Sequence, residues 1–399
     1  MKTSSRAATM SSLLVLALFA ELSRGGAQSA SATMQIPVEG KIDSSTGQLL
    51  ILAQFNDTRL WCGLDSGFSA LIAIDETHAQ RAGLRKAPGI PTPDGRPPSP
   101  GDSSSTAMLN VGGVSFGEQS VILRRLPAEA PEMECVMGIG VLKRFAVELD
   151  YALARVRLHD RTAYRQPDGA QRIPLIFRTN PNVPFVQIDL TFMDGTRQQA
   201  QVLADTGTSY FTAIFLPPFL QAIRPRIPKT ALPAIKNDSM RPTLKLEAAR
   251  LPGISVGPFT VREPVVALVE AGVGGGNDDG TLGVGFFERF SVTFDFAGRA
   301  MYLLPNKRIS ERQPFDASGI VFRKNATSYE VDFVLPDSPG SRVDVREGDR
   351  LLQLDGRPVD RLTLLELRDL MSHPGETREL RLARGNQILN VSLPLRERL

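Results

Sequence analysis

Residues 201–212 read QVLADTGTSYFT, and residues 281–296 read TLGVGFFERFSVTFDF. The first stretch holds Asp205 between an apolar run and a Thr-Gly turn. The same order occurs upstream, where residues 61–72 read WCGLDSGFSALI and residues 136–151 read VMGIGVLKRFAVELDY. Asp65 precedes Gly138 by 73 residues, and Asp205 precedes Gly283 by 78. Shared order, chemistry and spacing identify a duplication, with one unit over residues 34–158 and the other over 172–305. Residues 145–151, 186–192 and 290–296 alternate apolar and polar side chains, the period of half-buried strands. Both units therefore read as β-rich, with helical pattern confined to residues 142–145, 215–223 and 286–289. The 34 glycines and 29 prolines, about one residue in six, agree with a turn-rich β architecture.

An aspartate followed two positions later by glycine is commonly a turn or a helix N-cap. Its presence at matching positions of a duplication points to chemistry instead. Two-fold-related units bring such turns together at a pseudo-axis, where Gly67 and Gly207 permit close backbone approach. Two carboxylates at such a distance cannot both ionise easily, so the pair keeps one proton and supplies one base and one acid. The base removes a proton from a shared water that attacks a peptide carbonyl, and the acid stabilises the developing oxyanion. The hydroxyls of Ser66 and Thr206 hold the turns by hydrogen bonds. With no GxSxG and no positioned histidine partner, a serine-hydrolase reading fails.

Residues 205–209 (DTGTS) and 65–69 (DSGFS), each followed by an apolar-Gly pair at Met137-Gly138 and Leu282-Gly283, resemble the two active-site signatures of pepsin-like and retropepsin-like aspartic proteases. The resemblance spans residues 34–305. It implies a mainly β, two-lobed acid-protease β-barrel fold, a six-stranded interface, a substrate cleft between the lobes and a flap hairpin over it. It assigns catalysis to Asp65 and Asp205, and support of the dyad to Ser66, Gly67, Thr206 and Gly207. Phe68 replaces the small residue usual after the first glycine, and no tyrosine lies between Asp65 and Gly138, so the chain looks more retropepsin-like and bacterial than pepsin-like. The flap would fall within residues 91–106. The fold also makes the strands carrying Cys62 and Cys135 neighbours, which implies a disulfide beside the site; two buried thiols are the alternative.

After Pro305 the pattern changes to strands at residues 319–322, 329–335, 349–354 and 389–393, with an amphipathic helix over 362–371. Residues 334–340 (VLPDSPG) and 345–356 (VREGDRLLQLDG) resemble bacterial PDZ domains, with Gly340 in place of the usual alanine. The resemblance implies an α+β PDZ domain over 312–396 that takes an extended peptide as an added strand, its terminal carboxylate on backbone N–H groups at Gly319 and Ile320. A module that only stabilises the protease is the alternative. Leu399 is itself an apolar end of the sequence that would suit such a groove.

Lys2 and Arg6 precede the apolar run LLVLALFA at residues 13–20, followed by small residues, so residues 1–32 read as a cleavable signal peptide and the protein as exported, periplasmic or secreted. The run is shorter than the roughly 20 residues that cross a bilayer, and no later segment approaches that length. Glycine- and proline-rich residues 88–105 and 272–280 read as loops. The net charge of +3 lacks long basic runs, which argues against a nucleic-acid partner. Three scattered histidines and two distant cysteines give no zinc spacing, so neither a metal nor a cofactor is expected. The reading is an aspartic endopeptidase acting on polypeptides, with both aspartates in one chain and a dimer left open. A non-catalytic peptide-binding protein on a degenerate protease fold is the alternative.

Overall fold

The computed structural model describes residues 35–399 apart from 70, 86–102, 128–129, 179–181, 209, 229–231, 236–244, 272–277 and 325–327. The expected leader, most of the two loops and most of the expected flap lie outside the described residues. The last residues of the flap segment begin strand Ser103–Val111, which forms a hairpin with Val114–Arg124.

The fold is mostly β. In the first repeat, Leu49–Phe55 carries an alternating apolar face, with Leu49, Ile51, Ala53 and Phe55 buried. It pairs on one side with Thr58–Asp65 and on the other with Ser103–Val111, closing the seven-stranded sheet into a barrel. Within it, Thr58–Asp65 runs parallel to Cys135–Gly138, which lies antiparallel to Ile72–Asp75. The second repeat has the same arrangement. Arg197–Ala204 runs parallel to Gly280–Leu282, which lies antiparallel to Ala213–Phe215. Here ten strands form one sheet.

A six-stranded sheet joins the repeats, in the order Gln35–Val38, Arg155–Asp160, Phe145–Asp150, Phe290–Asp295, Ala300–Pro305, Gln171–Pro174. Its central antiparallel pair sets Glu148 opposite Thr293, with Val147 opposite Phe294 and Leu149 opposite Val292. In the duplication Thr293 is the equivalent of Glu148, so the pseudo-two-fold axis passes through this pair. Glu148 accepts hydrogen bonds from Arg157 at 2.5 Å and bonds His159 at 2.7 Å. Burial opposes its ionised form, but His159 and Arg157 overcome this and hold its carboxyl down at about 2. One apolar core runs through both repeats.

Of the helical segments expected in the repeats, two are shifted toward the amino terminus and one is shorter. The first is a 3-10 turn at Ile139–Leu142, and Phe145 already begins a strand. The second starts only at Phe219, because Pro217 and Pro218 lack N–H groups and stiffen the chain after strand Ala213–Phe215. The third is Val284–Phe287.

Residues 317–395 bury a separate core, with Tyr329, Val331, Leu351, Leu354, Leu367 and Leu382 at its centre. Its sheet runs Ile320–Lys324, Tyr329–Val334, Arg350–Leu354, Thr377–Arg384, Gln387–Pro394, with Arg357–Pro358 on the third strand. Helix Leu364–Leu370 starts sharply because Thr363 and Glu366 form a reciprocal capping box.

Candidate active site

Each aspartate ends a strand. Asp65 closes Thr58–Asp65 opposite Gly138, and the Asp205 N–H donates to Leu282 O at 2.9 Å, just past Arg197–Ala204. The turns that follow interlock. The Ser66 N–H donates to Thr206 Oγ1 at 3.0 Å, and the Thr206 N–H donates to Ser66 Oγ at 2.9 Å. Each hydroxyl then reaches across to the other strand: Ser66 Oγ donates to Ala204 O at 2.6 Å and Thr206 Oγ1 to Leu64 O at 2.8 Å. Both side chains are buried, and each hydroxyl donates one and accepts one hydrogen bond across the junction of the repeats.

This interlock brings the two carboxylates together. The Gly67 N–H donates to Asp65 Oδ1 at 2.7 Å and the Gly207 N–H to Asp205 Oδ1 at 2.8 Å. Each glycine lies against the opposite aspartate: a Cβ on Gly67 would meet the Asp205 carboxyl carbon at 2.9 Å, and one on Gly207 would run into the Asp65 carboxylate. No side chain larger than hydrogen fits at either position without moving a carboxylate. Burial, the charge of Asp205 and a hydrogen bond with Asp205 raise the Asp65 carboxyl well above the ordinary aspartate range, against the pull of the Gly67 and Phe68 N–H groups.

The dyad is not symmetric. Thr208 Oγ1 donates to Asp205 Oδ2 at 2.6 Å, whereas the matching residue after the first turn, Phe68, has no hydroxyl and offers Asp65 only its N–H. The Gln48 amide reaches the site from the first repeat and donates to Gly207 O. Gln48 ends a turn built on buried Asp43, which accepts from the N–H groups of Ser45 at 2.9 Å and Thr46 at 2.7 Å. The other side of that turn meets the helix of the carboxy-terminal unit: Leu365 N–H donates to Ser44 O at 3.1 Å and Arg368 to Ser45 O at 2.8 Å. Sequence reading missed Thr208 and Gln48. Thr208 was visible as a hydroxyl in DTGTS; Gln48 is a lone polar residue and gives no such signal.

Cys62 and Cys135 form a disulfide across the parallel pair, with a Cα–Cα distance of 4.4 Å. It lies three residues behind Asp65 and Gly138 in the same register. Among the described residues no cluster of three or more His, Cys, Asp or Glu side chains could hold a metal, and no helix is long and apolar enough to cross a membrane.

Gly319 and Ile320 lie apart from the dyad, in the separate core. Their N–H groups are engaged within the chain, Gly319 with Asp316 Oδ2 at 2.7 Å and Ile320 with Ser318 Oγ at 3.0 Å. Leu399 is not seated at this groove in its own chain; its main-chain oxygen accepts from Arg250 at 3.4 Å and Arg312 at 3.5 Å.

A family model of the PDZ domain matches residues 330–384. The chain therefore carries a PDZ domain, a peptide-binding module, and Gly319 and Ile320 precede the matched span. No curated protein matches the chain. Among solved structures, the chain is similar to an aspartic proteinase from Irpex lacteus at 11% identity and a TM-score of 0.45, over 70% of this chain and 100% of that one.

Proposed function

We propose that the protein is an aspartic endopeptidase in which Asp65 and Asp205 form one catalytic dyad. The observation that carries this reading is the contact of each turn glycine with the opposite aspartate, which leaves two hydrogen-bonded carboxyl groups in one partly exposed site. Asp65, raised by burial and by Asp205, holds the shared proton. Asp205 keeps the charge, supported by the Gly207 N–H and the Thr208 hydroxyl. Asp205 takes a proton from a water lodged between the carboxyls, and the water oxygen bonds to the peptide carbonyl carbon. Asp65 donates its proton toward the carbonyl oxygen as negative charge develops there. Collapse of the tetrahedral intermediate breaks the C–N bond, the proton gained by Asp205 goes to the leaving amine, and a hydroxyl proton of the intermediate returns to Asp65 as the carbonyl re-forms. Ser66, Gly67, Thr206 and Gly207 fix the dyad and take no part in proton transfer.

The PDZ domain recruits polypeptide to this site by strand addition along Ile320–Lys324, whose outer edge pairs with no strand among the described residues. The Cys62–Cys135 disulfide and the apolar run at residues 13–20 support export to an oxidising compartment. Hydrolysis of a quenched fluorescent peptide mixture by the wild type, Asp65→Asn and Asp205→Asn tests the reading. Each carboxamide is expected to lower kcat by at least about a hundredfold, and full activity in either variant would falsify the dyad.

A further inference from the structure

Bacterial-type PDZ grooves bind a terminal carboxylate on successive backbone N–H groups at the start of their edge strand. In this chain those groups are Ser318, Gly319 and Ile320, and all three are taken. The Asp316 carboxylate accepts from Ser318 N–H at 3.1 Å through Oδ1 and from Gly319 N–H at 2.7 Å through Oδ2. Ile320 N–H donates to Ser318 Oγ, and that hydroxyl itself donates to Asp316 Oδ1 at 2.5 Å. Gly319 has a φ of +73°, which turns successive N–H groups to one side and makes the concavity that suits an anion.

Arg398 completes the arrangement. Its guanidinium donates to Asp316 Oδ2 at 2.6 Å and is itself nearly buried, so the Asp316 charge is neutralised from within the chain. The Arg396 N–H donates to Ala317 O at 3.1 Å and holds this segment beside the loop. Ser318 is fully buried. An incoming carboxylate would have to displace Asp316 from two N–H groups and from its pair with Arg398.

We propose that this PDZ domain takes extended segments from within a polypeptide and does not read a chain-terminal carboxylate, because Asp316 occupies the N–H nest. The edge of Ile320–Lys324 beyond the nest still offers strand pairing, which needs no chain end. This rests on the recruiting half of the function above and not on catalysis.

The test is an array of decapeptides, each made with a free carboxyl terminus and as the carboxamide, probed with the full chain carrying Asp65→Asn so that the peptides stay intact. The expected result is that the carboxylate and carboxamide of each bound sequence agree within about twofold. Asp316→Ala, which frees two N–H groups and the Arg398 charge, is expected to favour free carboxylates by at least about tenfold, as charge-assisted hydrogen bonds would. Asp316→Asn, close in size, puts the same question if the alanine variant loses its cooperative thermal transition. A tenfold carboxylate preference in the unmodified nest, no binding of either form, or no new preference in the Asp316 variants each overturns the proposal. Wild-type chains that fail to cleave peptides would remove the protease reading and leave this binding result standing.

Discussion

Ser66 and Thr206 each accept the other's backbone N–H and donate their hydroxyl to the strand that carries the other. Two residues thus satisfy four backbone groups at a buried junction between the repeats. Ser66→Ala leaves the Thr206 N–H and the Ala204 carbonyl without partners, and each such buried group costs about 1–3 kcal/mol. Urea unfolding should show a loss of about 2–6 kcal/mol, the cost of two such groups, for Ser66→Ala and for Thr206→Ala. The double variant should lose less than the sum, because the two act as one unit.

The raised Asp65 carboxyl has two consequences of opposite kind. In the proposed mechanism Asp65 must be protonated, so the alkaline limb of the pH–rate profile should lie above the ordinary aspartate value of about 3.9. Phe68→Thr would give the ionised Asp65 a hydroxyl donor like Thr208, favour the charged form and move that limb to lower pH. In stability, a carboxyl raised in the fold stabilises below its unfolded value, and that contribution disappears as pH rises through its folded value. Asp65→Asn should therefore melt higher than the wild type at neutral pH while the two converge in acid.

Glu148 has the reverse sign. Its folded value is depressed from an ordinary 4.5 to about 2, so it stabilises the six-stranded sheet above pH 4.5 and loses that contribution as pH falls from 4.5 toward 2. Glu148→Gln should lower the melting temperature at neutral pH and flatten its decline through that acid window, as read by circular dichroism.

Gln48 donates to the carbonyl of Gly207, in the turn that positions Asp205. Gln48→Ala should lower kcat by about tenfold, the worth of one well-placed hydrogen bond, with KM within about threefold. An effect on KM alone would mean that Gln48 holds substrate and not the turn.

The disulfide closes a loop of 73 residues between Cys62 and Cys135. Replacing both with serine should cost about 4 kcal/mol on chain-entropy grounds, measurable as a fall in denaturant midpoint under oxidising conditions. A wild type assayed with reductant should approach the double variant.

The residues that build the site were legible wherever local chemistry was doubled. Asp65 and Asp205 with Gly67 and Gly207 stood out because one unusual pattern recurs at matched spacing, and the strands around them follow a period of two. Residues 377–384 (TRELRLAR) form a strand that was not read, since charged side chains mask its alternation. The helix expected from Phe215 was cut back by Pro217 and Pro218. Gln48 was illegible because its role comes from a partner 159 residues away. Asp316 left a local trace: an aspartate two and three positions ahead of Ser318 and Gly319 is the spacing of a side chain that bonds its own following turn.

The pairing of Glu148 with its own counterpart Thr293 shows how a near-symmetric frame can carry unlike parts. If two identical chains met at such an axis, every substitution would appear on both sides at once. With the halves in one polypeptide, Phe68 and Thr208 can differ, and so can the two aspartates they accompany. On the proposed mechanism, the covalent join thus makes the division of labour between proton holder and proton taker heritable, written in sequence instead of chosen afresh in each encounter.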